Sequence, residues 1–299
     1  MRPRLTLALG AALALVAAFS AAPAGAGPAK RVVAIEWNYA EDLLAVGVRP
    51  VGIADIKGME DWTPVQVPAG VKDVGTRTEP SLERIAALEP DLIIAPKGRI
   101  VRSLDQLREI ARVKIMNPFP QKQGRDTQYR VMLDELRQVA KAVGRRARAD
   151  AVIRSLDRSY APLRKRLKKA GLARAKVTVG MAGGTLAAPG LRLFTDNSVT
   201  AAVLRRLGLR NAWTAKPRHY GYTEGGIEQL RKVERNWFVF AYPRQFSDII
   251  RGIQEQDAWT ELALARNGRA RTVPGNTWPF GGPLATRVLA QRITGALVR

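Results

Sequence analysis

Ser81-Leu82-Glu83-Arg84-Ile85-Ala86-Ala87-Leu88-Glu89-Pro90-Asp91 runs into Leu92-Ile93-Ile94-Ala95, and far downstream Gly226-Ile227-Glu228-Gln229-Leu230-Arg231-Lys232-Val233-Glu234-Arg235-Asn236 runs into Trp237-Phe238-Val239-Phe240-Ala241. Each stretch predicts a helix with one apolar stripe, followed by a short strand apolar on both faces, as buried parallel strands are. Leu82 pairs with Ile227, Ile85 with Leu230 and Leu88 with Val233, while Glu83 and Glu228 stand eight residues before Asp91 and Asn236. Upstream, Val46-Gly47-Val48-Arg49 matches Leu207-Gly208-Leu209-Arg210, although the gap from glycine to glutamate is 36 residues in one half and 20 in the other. The repeat predicts two similar α/β lobes; chance likeness between two helix–strand units is the competing explanation.

The surrounding sequence extends the pattern. Arg31 to Ile35 and Val51 to Ala54 read as strands, and Asn38 with Glu41 reads as a capping pair for a helix that stops at Gly47. Pro80 to Leu88 reads as a helix, Leu92 to Ala95 as a strand, Arg102 to Ala111 as a helix and Val113 to Met116 as a strand. From Asp126 to Ala170 the periodicity is helical, with Gly144 the one break. The part from Arg145 to Lys169 predicts a single helix about 37 Å long, enough to run along both lobes. Val177 to Met181, Trp237 to Ala241 and Arg271 to Val273 then read as strands, and Ser198 to Leu207, Ile227 to Val233 and Leu284 to Val298 as helices. The predicted fold is α/β: two lobes with mainly parallel sheets, bridged by one long α-helix. The expected division is a signal peptide at 1–26, an N-terminal lobe at 27–144, a connecting helix at 145–170 and a C-terminal lobe at 171–299.

Arg2 and Arg4, the apolar run Leu5 to Ala18 and the small residues Ala24-Gly25-Ala26 have the order of a cleaved export signal. The run is shorter than the roughly 20 residues of a membrane span. With no cysteine after it, a lipid anchor is not expected, and the mature chain is expected free in the periplasm. No later run is long enough to span a membrane. Since the chain has no cysteine at all, its stability rests on burying apolar surface, which about 270 residues in two domains can do. The formal net charge is +23, and +21 once Arg2 and Arg4 are removed. Such a balance favours anionic partners. The cations, however, are spread along helix faces (Arg145-Arg146, Lys165-Arg166, Lys168-Lys169, Arg205-Arg206) with no nucleic-acid-binding motif beside them. Nucleic acid is therefore not an expected partner, and the chain is expected to be a monomer.

In open parallel sheets ligands bind beyond the carboxyl ends of the strands. After Ala95 come Lys97 and Arg99; after Met116, Phe119; after Ala241, Tyr242 and Arg244; after Val273, Trp278 and Phe280. Basic and aromatic side chains at this rim suit a ligand with negative oxygens and an apolar or π-rich body. His219 is the one histidine and there is no thiolate, so neither a metal site nor a resident cofactor is expected. Ser-His-Asp chemistry would need His219 oriented by Asp196 or Asp248, and no nucleophile motif accompanies it; an exported hydrolase is the remote alternative.

Arg31-Val32-Val33-Ala34-Ile35-Glu36-Trp37, Glu41 to Val48, Pro50 to Asp55 and Asp73-Val74-Gly75-Thr76-Arg77-Thr78-Glu79-Pro80-Ser81-Leu82-Glu83 resemble the periplasmic ferric-hydroxamate-binding proteins and their ferric-siderophore relatives, which serve ABC importers. Leu193 to Ser198, Asn211-Ala212-Trp213, His219-Tyr220-Gly221-Tyr222-Thr223, Val273-Pro274 and Trp278-Pro279-Phe280-Gly281 continue the match to the end of the chain. The resemblance implies lobes joined by one helix and little closure on binding. It implies that Arg77 reaches the iron-bound oxygens of the siderophore, as a planar, always-charged donor can. Trp62 then lines the first lobe and Tyr220, Trp278 and Phe280 the second, with Tyr222, Lys97, Arg99 and Arg244 as further ligand-binding candidates. Glu83 and Glu228 are implied to face arginines of the inner-membrane ABC permease. Where the resembled proteins carry an aromatic residue and then a tyrosine, this chain has Ile94 and Pro96-Lys97-Gly98-Arg99. That departure predicts a chelate more anionic than a neutral trihydroxamate, such as ferric citrate or a mixed citrate-hydroxamate. Cobalamin or haem in the same fold is the alternative cargo.

Overall fold

The computed structural model describes residues 27–184, 189–242 and 247–299; the expected signal segment 1–26 and Arg244 lie outside them. In chain order, the first lobe comprises β1 (Val32–Ala34), α1 (Trp37–Ala45), β2 (Gly52–Ile53), α2 (Ile56–Trp62), β3 (Lys72–Asp73), α3 (Leu82–Ala86), β4 (Leu92–Pro96), α4 (Leu104–Ile110), β5 (Arg112–Met116) and α5 (Thr127–Ala142). The long helix α6 (Arg146–Lys169) follows; its 24 residues span about 36 Å. The second lobe comprises β6 (Lys176–Gly184), β7 (Pro189–Phe194), α7 (Val199–Arg206), β8 (Arg210–Asn211), β9 (Tyr222–Gly225), a 3-10 helix (Ile227–Val233), β10 (Trp237–Ala241), α8 (Ser247–Gln254), α9 (Asp257–Thr260), α10 (Ala263–Arg266), β11 (Ala270–Thr272) and α11 (Pro283–Leu297).

The first sheet has the order β3-β2-β1-β4-β5, and all its pairs are parallel. Its inner strands β2, β1 and β4 are buried and apolar because both faces are covered, whereas the edge strands β3 and β5 carry exposed charged residues. Val32 and Ala34 enter one core with Leu92 and Ile94, beneath Tyr39 and Leu43 of α1 and Leu136 and Val139 of α5. Val33 and Ile93 enter the opposite core with Ile85 and Leu107. The second sheet, β11-β10-β6-β7-β9 with β8 also on β6, is mixed: β10 is parallel to β6 and β11, whereas β7 runs antiparallel to β6 and β9. In β10, Val239 and Ala241 face the core containing Leu289 and Ile293 of α11, and Phe238 and Phe240 face Trp259 and Ile253.

The internal repeat is a repeat of structure. Central strand β1 is flanked by β2 and β4, and β6 by β8 and β10, all parallel to it. Gly47 (φ 77°) and Gly208 (φ 78°) end α1 and α7 in the same left-handed conformation. The following amides, Val48 and Leu209, donate to Leu43 O at 2.8 Å and Leu204 O at 2.9 Å, which is the helix-terminating bond that glycine permits. Two local readings change. The helix before β10 is a 3-10 helix rather than the α-helix of its counterpart. The N-cap of α1 is Glu36, whose side chain accepts from Trp37 N, and not Asn38; Glu41 is buried and bonds elsewhere.

Candidate functional site

Four charged side chains gather at the carboxyl edge of the first sheet because four adjacent parallel strands end there. Glu36 follows β1, Asp55 follows β2, Arg77 lies in the loop after β3 and Arg99 follows β4. Gly75 (φ 95°) opens the Arg77 loop and bridges to Pro80. Thr76 Oγ1 accepts from Glu79 N at 2.9 Å, which holds Arg77 on a short, tied loop. Arg77 Nη1 donates to Glu36 Oε1 at 2.7 Å, and its Nε lies 3.5 Å from Asp55 Oδ2. Arg99 Nε lies 2.8 Å from Glu36 Oε2. The Arg77 guanidinium also stacks 3.4 Å above the centre of the Trp37 ring, a contact that suits a planar cation.

Aromatic rings continue from this cluster into the second lobe. Trp37 and Trp62 each meet Trp278 edge-on, at 5.2 and 6.0 Å between ring centres. Trp278 meets Phe280 at 4.9 Å, and Phe280 meets Tyr222 at 5.8 Å and Phe194 at 5.3 Å. Tyr222 stacks with Tyr220 at 6.3 Å, Tyr220 meets Phe119 at 5.1 Å, and Arg192 caps Tyr222 at 5.0 Å. Trp278 Nε1 donates to Asn38 Oδ1 across the lobes at 3.3 Å. Trp62 packs against the cores of both lobes. Tyr220 is 53% exposed, so the far end of this track is open to a ligand.

The structure therefore joins Arg77, Arg99, Trp62, Trp278, Phe280, Tyr220 and Tyr222 in one connected surface. It does not bring in Lys97, which is exposed and makes no ion pair among the described residues. Tyr242 packs with Phe238, Phe240 and Trp259 on the outer core. The His219 ring rests on Tyr220 and Phe119 and has no hydrogen bond to an acidic group among the described residues. Asp196 is taken up by Arg205 Nη1 at 3.0 Å and Asn211 Nδ2 at 3.2 Å, a set that ties α7 and β8 to the start of α5. Glu83 and Glu228 are both exposed, in the first turn of their helices, and neither carboxylate is paired with another described residue. Two surface hollows of about 300 and 290 Å³ lie apart from the aromatic track, one beside Arg137, Lys141 and Arg146 and one beside Arg125, Arg205 and Arg210. Neither contains an aromatic wall. Among the described residues no group of three or more His, Asp or Glu side chains is placed to hold a metal ion.

Sequence reasoning passed over Glu36, Asp55 and Trp37. Their signal was present: all three lie within three residues of the carboxyl ends of β1 and β2, where ligands bind in parallel sheets.

The sequence matches the periplasmic binding protein family over residues 32–277. The Fe(3+) dicitrate-binding periplasmic protein FecB of Escherichia coli is 31% identical over 252 residues, covering 83% of this chain and 78% of FecB. The iron(3+)-hydroxamate-binding protein FhuD of Escherichia coli is 27% identical over 271 residues, 89% of this chain and 87% of that one. The crystal structure of Vibrio cholerae FhuD with bound Fe3+–Desferal superposes with a TM-score of 0.82 at 29% identity, covering 90% of this chain and 98% of that chain.

Proposed function

The chain belongs to the periplasmic binding protein family, and from that premise we propose that it captures a ferric siderophore between its lobes and delivers it to the permease of an ABC importer. The observation that carries this reading is the unbroken run of rings from Trp37 through Trp278 and Phe280 to Tyr220, with the Arg77 guanidinium stacked at its first-lobe end. A ferric chelate presents charged oxygens around the metal and apolar arms beyond them, and this surface offers cationic donors and ring faces in that order. Iron needs no protein ligand here, because it arrives already enclosed by its chelator. The family is one of transport binding proteins, not enzymes.

Hydroxamate- and citrate-type chelates fit the site, and the relatives named for these cargoes support them over cobalamin or haem. Of the two cations expected to favour an anionic ligand, Arg99 is met by Glu36 and Lys97 is exposed outside the connected surface. Glu83 and Glu228, one on each lobe, suit two equivalent contacts with a two-fold permease; such rim charges set orientation and association rate more than affinity. Export by the 1–26 segment and a monomeric state complete the proposal.

Native mass spectrometry of the protein recovered from iron-starved cells tests it. A co-purifying ferric chelate at one per chain is the expected result. Haem or cobalamin at that stoichiometry, with ferric chelates failing to bind the purified protein, would contradict it.

A further inference from the structure

Resting on the siderophore reading, we propose that Glu36 is the internal counter-ion of the site and sets its selectivity for the charge of the bound chelate. One carboxylate serves both candidate arginines, one on each oxygen: Arg77 Nη1 at 2.7 Å on Oε1 and Arg99 Nε at 2.8 Å on Oε2. Oε1 also accepts from Trp37 N at 3.0 Å, so the group is anchored by the N-terminus of α1. Glu36 is thereby held by backbone as well as by the cations it pairs.

The charge pattern follows from the sheet order. Arg77, Asp55, Glu36 and Arg99 arrive from β3, β2, β1 and β4, which lie side by side, and their formal charges cancel. A guanidinium has five N–H donors in a rigid fork. The contacts to Glu36 and Asp55 run from Nη1 and Nε of Arg77 and from Nε of Arg99, and neither arginine meets a further acidic residue among the described residues, so each fork has more donors than these contacts occupy. The two side chains are 21% and 33% exposed, against 13% for Glu36. The cluster therefore presents oriented donors without a net positive charge. A chelate whose oxygens accept hydrogen bonds is welcomed, whereas one that adds several negative charges is opposed by the carboxylate already in place.

Glu36 is a positioning and selectivity residue in this account, and the reading predicts opposite effects from two single changes. Kd is measured by tryptophan-fluorescence quenching for ferrichrome, an uncharged trihydroxamate chelate, and for anionic ferric citrate. Glu36→Gln keeps the shape and removes the charge. It shifts the ratio of affinities toward ferric citrate by roughly five- to tenfold and steepens the salt dependence of citrate binding, as one added unit charge within several ångströms of the ligand does at intermediate dielectric. Arg99→Gln leaves Glu36 in excess and shifts the same ratio toward ferrichrome. Should Glu36→Gln fail to fold, the Arg99→Gln ratio still decides. Equal losses for both chelates, with the ratio constant in both variants, would overturn the counter-ion role while leaving the siderophore reading intact. If the parent protein binds neither chelate, the transport reading itself fails, and this inference fails with it.

Discussion

Glu41, on α1 of the first lobe, accepts the backbone N–H groups of Leu284 and Ala285 at 2.6 and 2.8 Å, at the start of α11 in the second lobe. A carboxyl group from one lobe thus satisfies the open first turn of a helix that packs chiefly against α6 and α7. Glu41 is fully buried, and burial pushes its pKa up to about 8 against the two backbone bonds that lower it. Glu135 on α5, also raised to about 8 by burial, receives a hydrogen bond from Tyr39 at 3.3 Å. Asp42 is raised well above its usual range by burial and by the neighbouring Glu135 and Glu41. With Glu36 nearby adding to the upward shift of Glu135, these acids form a buried cluster between α1, α5 and α11.

That cluster predicts an unusual pH profile. Glu41 and Glu135 hold protons in the folded chain up to a pKa of about 8, from an ordinary value of 4.5. The folded state therefore binds more protons than the unfolded state between these values, and their contribution to stability is complete below the lower value and lost as pH rises through the upper one. Thermal unfolding should give a Tm that falls from about pH 5 to about pH 8, and Glu135→Gln, which mimics the protonated form, should flatten that slope. An unchanged slope in Glu135→Gln would show that the group does not titrate as its burial dictates.

Gly282→Ala should be among the most damaging single substitutions. Gly282 has φ 80°, and a Cβ there would sit 2.2 Å from the Glu41 carboxyl group. Left-handed strain and displacement of the Glu41 cap act together, so a loss on the order of 2–4 kcal/mol in chemical denaturation is expected. A loss below about 1 kcal/mol would mean that the two lobes do not depend on this contact.

Arg77→Lys should lose affinity nearly as Arg77→Ala does. Lysine retains the charge but neither stacks flat on Trp37 nor holds its donors in the fixed planar fork that spans Glu36 and the ligand together. Loss of hydrogen bonds from a charged donor predicts a Kd for ferric chelate weaker by roughly ten- to a hundredfold in both variants. Full binding by Arg77→Lys would assign the residue a purely coulombic role.

Glu83→Arg and Glu228→Arg should separate binding from delivery. Both residues are exposed, so chelate affinity and Tm should remain as in the parent. Uptake by cells carrying the cognate permease should drop, most in the double variant. Undiminished uptake would remove both residues from the docking surface.

The parts of the fold legible in sequence were those that apolar pattern alone determines. β1, β4 and β10 are buried on both faces and announce themselves as short apolar runs, and Gly47 and Gly208 mark helix ends that only a left-handed residue completes. The segments at Ile56–Trp62, Pro189–Phe194 and Tyr222–Gly225 received no secondary-structure reading. In β9 the cause is partial burial, which leaves little alternation, and the antiparallel pairing that makes the second sheet mixed is a tertiary property. Of the site, Arg99, Trp278 and Phe280 were legible from their place just beyond apolar strands, whereas Arg77, Trp62 and Tyr220 followed only from the family resemblance. The pairing of Arg99 with Glu36 was not legible, because residues 63 positions apart meet only once β1 and β4 are neighbours. Glu41 misled for a related reason: its spacing from Asn38 suggests a local cap, whereas its partners lie 243 and 244 residues away.

Diffraction at the iron edge from crystals grown with a ferric siderophore tests the central claim most directly. The account predicts one anomalous peak per chain, between the Arg77–Arg99 edge and the Trp278–Tyr220 rings, with chelator oxygens and no protein side chain in the metal's coordination sphere. A peak on an outer face, or iron ligated directly by carboxylates of the chain, would contradict it.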